Sequence, residues 1–126
     1  MADRRLVDYN IGRLRDKSPA VRIKSIAELR LLDDPTGWEA ISQLHQTESE
    51  AGVKRAAREA LAAHYLPGLH DPSPAIRLKT IQLLRALAEL STMTALELVY
   101  RNDSDPVIQQ AALEAGREIY MAAKRR

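Results

Sequence analysis

Three histidines, His45, His64 and His70, are the side chains best suited to proton transfer or metal ligation near neutral pH. A helical metal site needs two histidines one turn apart, with a carboxylate close by, so that one helix face reaches the ion. None of the three has H-E-x-x-H or H-x-x-x-H spacing. Cysteine is absent, which removes disulfides, thiolate metal sites, iron–sulfur clusters and cysteine nucleophiles together. No serine lies in a G-x-S-x-G elbow, and the five glycines never form G-x-G-x-x-G or G-x-x-x-x-G-K-[ST]. Hydrolase, kinase and dinucleotide chemistry lose their main support. Asp33-Asp34 is a carboxylate pair, but just ahead of Pro35 and a helix opening near Thr36 it reads as turn and helix-dipole chemistry. The expectation is a protein that is not an enzyme, with no catalytic residue, cofactor or metal site.

Charge is the other chemical resource. Of 19 basic residues 14 are arginine, the side chain that pairs bidentately and tolerates partial burial, yet the net charge is only +2. That excess is too small to establish nucleic-acid binding. Position matters more. Arg22, Lys54 and Arg77 recur one residue after a β-branched anchor, and Asp16 and Asp71 stand six residues before two of them. At about 100° per residue, Arg22, Arg30, Lys54, Arg58, Arg77, Arg85 and Arg117 share one helical flank, while Glu59, Glu114 and Glu118 share another. Two roles stay open for this strip: internal pairing between neighbouring helices, or a surface that binds a ligand.

The elements that would carry these residues are legible because the chain repeats itself. Ser18-Pro19-Ala20-Val21-Arg22-Ile23-Lys24-Ser25-Ile26 returns as Ser73-Pro74-Ala75-Ile76-Arg77-Leu78-Lys79-Thr80-Ile81, at an offset of 55. Residues 16–70 and 71–125 therefore form a duplicated pair of units, preceded by a capping helix within residues 1–15. Val21, Val53, Ile76 and Ile108 open four long amphipathic helices, each with a small residue four positions on (Ser25, Ala57, Thr80, Ala112) where helices can approach closely. Ser18-Pro19, Ser73-Pro74 and Asp105-Pro106 supply N-caps followed by proline at the first helical position. Capping boxes at Thr36 to Glu39 and Thr94 to Glu97 predict shorter companion helices. Strand alternation is never sustained, so the fold class is all-α.

The pattern Asp-x-Ser-Pro-Ala-Val/Ile-Arg, a small-residue helix, an acidic turn and a shorter helix resembles the short HEAT-like repeats of the phycobilisome lyase family and of many bacterial scaffold proteins. The resemblance covers about Asp16 to Tyr120 and implies an α-solenoid of about four repeats in a single domain spanning 1–126. It also implies that the basic residue bonds acidic or carbonyl groups of interhelical turns. The anchors lie 32, 23 and 32 residues apart, so the middle repeat is truncated to the connector Tyr65-Leu66-Pro67-Gly68-Leu69. A missing helix should leave Tyr65, Leu66 or Leu69 partly exposed, which makes Tyr65 and Leu69 candidates for partner contact or self-association. Gln109 replaces the basic residue in the last repeat, as suits a C-terminal cap.

The resemblance implies a non-catalytic protein-binding scaffold that uses the concave helix row. Two alternatives stay open: a nucleic-acid binder with an arginine-rich concave strip, and a lyase-like or chaperone-like subunit acting on a cofactor-bearing partner. No window reaches the length of a membrane span, and no apolar segment follows the charged N-terminus, so membrane partners are not expected and the cytoplasm is the expected compartment. Trp38, Tyr65, Tyr100 and Tyr120 are expected to fill the core, with Tyr65 the exception to watch. Gly116 is expected to sit where a neighbour approaches the last helix closely, and Lys124-Arg125-Arg126 to form a frayed end.

Overall fold

A computed structural model describes residues 2–126. Helices α1 (Arg4–Arg13), α2 (Pro19–Leu32), α3 (Pro35–Thr47) and α4 (Ala51–Tyr65) are followed by a 3-10 turn at Leu66–His70. Then come α5 (Pro74–Leu87), a second 3-10 turn at Leu90–Thr92, α6 (Met93–Asn102) and α7 (Pro106–Arg125). The described residues contain no strand. None of their helices is long and apolar enough to cross a membrane.

Local chemistry starts and stops these helices. Ser18 and Ser73 accept from the backbone N–H of Val21 and Ile76, and Asp105 accepts from that of Val107, each ahead of a proline that needs no hydrogen bond there. The two expected capping boxes do not form. Asp34 caps α3 and places Thr36 inside the first turn, while Glu89 caps the 3-10 turn that leads into α6. Proline and a carboxylate outcompete threonine at the first site because Pro35 fixes the first helical position one residue earlier. Helix α2 ends at Asp33 and α5 at Ala88, both in the left-handed conformation and again 55 residues apart. For Ala88 that conformation costs about 1–2 kcal/mol.

The chain divides within α4 into two compact units, residues 1–61 and 62–126. In the first, α1, α2 and α3 pack on one another and bury Val7, Ile26, Leu29 and Ile41, while α4 contributes Val53 and Ala57. Gly37 permits close approach: a Cβ there would lie 3.2 Å from Leu29 Cδ2. Trp38 is buried as expected, its indole N–H donating to Asp33 at 2.7 Å. In the second unit Leu69, Ile81, Leu84, Leu96, Val99, Ile108 and Ile119 form one core with Ala112 and Ala115.

All four small positions are buried: Ser25, Ala57, Thr80 and Ala112. The two hydroxyls among them bond back to carbonyls one turn earlier, Ser25 to Val21 and Thr80 to Ile76, so neither is buried unsatisfied. The connector between α4 and α5 holds a single 3-10 turn, Leu66–His70, and no further helix. Gly68 leaves room there for Thr80, whose side chain a Cβ would collide with. Arg126 is not a loose end; its guanidinium donates to Ala88 O at 2.8 Å, where the carbonyls of α5 run out.

Candidate binding surfaces

Two arginines of the basic strip are anchored. Arg22 reaches from α2 to Glu48 in the α3–α4 turn, Nε to Oε1 at 2.8 Å and Nη2 to Oε2 at 3.1 Å, and its Nη1 donates to Asp16 O at 2.7 Å. Arg77 repeats the arrangement, with Nε on Asp103 Oδ2 at 2.9 Å and Nη1 on Asp71 O at 2.9 Å. Both pairs are shielded, with side-chain exposures of 15% and 5% for the first and 13% and 8% for the second. Glu48 and Asp103 also accept from backbone N–H groups two residues on, at Glu50 and Asp105. Burial alone would raise the Glu48 carboxyl, but the Arg22 hydrogen bonds and the nearby N–H groups outweigh it and hold it below its ordinary value. Each guanidinium ties a helix start to the turn that follows the next helix.

Other members of the strip differ. Arg85 on α5 pairs with Glu118 on α7 at 2.6 Å, a basic flank meeting an acidic one, with both side chains about half exposed. Arg58 is half-buried; with Lys54 it acts on His45, whose pKa is lowered first by burial and then by these two cations. Arg30, Lys54 and Arg117 are exposed and make no ion pair among the described residues. The seven residues therefore do not form one free strip.

Of the three connector residues, Leu69 corrects its part of the expectation: it is 2% exposed and belongs to the second unit's core, because the 3-10 turn points it inward. Tyr65 and Leu66 stay partly exposed, as expected, while packing against that same core. Tyr100 and Tyr120, expected in the core, are 41% and 48% exposed. The histidines gather no ligands: among the described residues no group of three His, Asp or Glu side chains is placed to hold a metal ion.

The two tyrosines border an open concavity. Met93, Thr94, Glu97 and Tyr100 fall on one face of α6, and Leu113, Gly116, Arg117 and Tyr120 on one face of α7, at spacings of three, four and seven residues. Between them runs an open groove of about 460 Å³ with Ala112 in its wall. Gly116 lacks the expected close neighbour: among the described residues a Cβ there would meet nothing within 4 Å. Glu97 is engaged by Arg101 at 2.8 Å, whereas Arg117 has no carboxylate partner among the described residues. Lys124 lies 5.3 Å above the Tyr120 ring. Sequence reasoning singled out Arg117 but missed the groove; the available signal was a glycine in the middle of an otherwise strong amphipathic helix. No family model, curated protein or solved structure matches the chain.

Proposed function

We propose that the chain is a non-catalytic scaffold of about four HEAT-like repeats, the middle one truncated, that binds a protein partner through exposed helix faces. The reading rests chiefly on the aromatic and apolar groove between α6 and α7, where Tyr100 and Tyr120 are exposed and the half-buried Met93 and Leu113 complete the wall. Apolar area of that kind gains free energy when a partner removes it from water. The HEAT-like part is supported by the arginine–acid ladder, which recurs at the sequence offset with the same carbonyl contact. Pairing of Arg22, Arg77 and Arg85 with carboxylates leaves fewer cations for a phosphate backbone, so nucleic acid is the less favoured ligand. Affinity purification of the tagged full chain from source lysate, with and without nuclease, tests the reading. Proteins retained equally in both arms support it; retention that vanishes with nuclease refutes it.

A further inference from the structure

The groove between α6 and α7 has a chemistry specific enough to describe its occupant. Its walls are apolar and aromatic, and its charges are unbalanced. Glu97 is neutralised within α6 by Arg101, Glu118 is held by Arg85, and Arg117 stands at the edge with no acidic partner among the described residues. Lys124, over the Tyr120 ring, adds a second cation to the same end of α7. An occupant must therefore bring apolar surface for the walls and negative charge for the α7 edge.

Gly116 points the same way. Glycine in a helix interior is unfavourable relative to alanine, and it is tolerated where something must approach the backbone. Among the described residues nothing does, since the space over Gly116 is empty to 4 Å and its backbone is helical. The missing side chain leaves an opening beside Ala112 and Leu113 that a partner's side chain can enter.

We infer that this groove binds a short peptide segment of a partner protein, with an aromatic or aliphatic side chain seated over Gly116 and an adjacent carboxylate paired to Arg117. This assignment rests on the scaffold reading above and narrows it to one surface and one ligand chemistry. Arginine suits the role because its guanidinium takes a carboxylate bidentately.

The test is a selection of random peptides displayed on phage against the full chain, followed by fluorescence anisotropy with the labelled winners. The expected winners carry Asp or Glu next to an aromatic or aliphatic residue. Exchanging that acid for its amide, or introducing Arg117→Glu, should weaken binding about tenfold or more, as for loss of one charge-assisted hydrogen bond. Gly116→Leu should abolish binding by filling the opening. Gly116→Ala keeps the assignment independent of misfolding: it should raise the melting temperature, as alanine does in a helix interior, while weakening the peptide. Winners that lack carboxylates, no winners at all, or binding indifferent to changes at both positions would overturn the assignment. A monomer–dimer equilibrium abolished by Arg117→Glu, with no peptide bound, would assign the groove to a second copy of the chain and overturn it equally. If lysate proteins remain bound to Gly116→Leu and Arg117→Glu while the peptide assignment fails, the scaffold reading stands and the groove is not its site.

Discussion

Replacing Arg77 with Met separates an anchoring arginine from a ligand-binding one. The substitution keeps most of the aliphatic stem and removes a guanidinium that bonds Asp103 through two nitrogens and the carbonyls of Asp71 and Pro72 through a third. With side-chain exposures of 13% and 8%, the pair is nearly dry, and Asp103 would be left with only its backbone contact to Asp105. Breaking a buried pair from one side costs about 3–5 kcal/mol; the residual exposure here argues for the lower end, about 3 kcal/mol. At about 4 °C per kcal/mol for a chain of this size, the melting temperature should fall by about 12 °C. The double variant Arg77→Met with Asp103→Leu removes the stranded charge and should recover much of the loss. Thermal melting followed by circular dichroism reads the parent, the two single variants Arg77→Met and Asp103→Leu, and the double variant. A single variant that melts within about 2 °C of the parent, or a double variant whose loss is the sum of the singles, would refute the anchoring role.

Three further outcomes follow from the same packing. Gly68→Ala should cost about 1–3 kcal/mol in urea unfolding, because its Cβ collides with Thr80, and adding Thr80→Ala should relieve most of the collision; additive losses would contradict the close approach. Ala57→Leu, at a fully buried small position of α4, should likewise cost about 1–3 kcal/mol through overpacking, and an unchanged melting temperature would count against it. His45 has a folded-state pKa below 6.5, so protonation favours the unfolded chain: its contribution is complete above pH 6.5 and is lost as pH falls from there toward the lowered value. The pH dependence of stability across that window should flatten in His45→Gln, and an identical slope in the two proteins would rule the histidine out as its source.

The arginine ladder shows how far the residues alone carry the argument. Arg22 and Arg77 are legible as a repeated basic position with Asp16 and Asp71 six residues before them, and the contacts to those two residues are to backbone carbonyls. The carboxylates come from Glu48 and Asp103, twenty-six residues away in each case. A separation of that length is closed by helix packing, which local periodicity does not specify. Of the connector residues Tyr65, Leu66 and Leu69, only Leu69 departs from the expected partial exposure, for a related reason. Its place in a Pro-Gly connector suggested exposure, but one 3-10 turn rotates it into the core.

The caps that precede a proline and the buried small positions are written in the chain because each depends on residues within about one turn of itself. Ser18, Ser73 and Asp105 satisfy N–H groups two or three positions away, and Ser25 and Thr80 satisfy their hydroxyls one turn back. Which apolar side chains stay uncovered has no such local determinant. Tyr100 and Tyr120 sit on amphipathic helices with the same periodicity as core residues, and only the placement of α6 against α7 leaves them at a groove. Gly116 and Arg117 acquire meaning in the same way, because exposure is a property of the neighbours a residue is given in three dimensions and not of its own type or spacing.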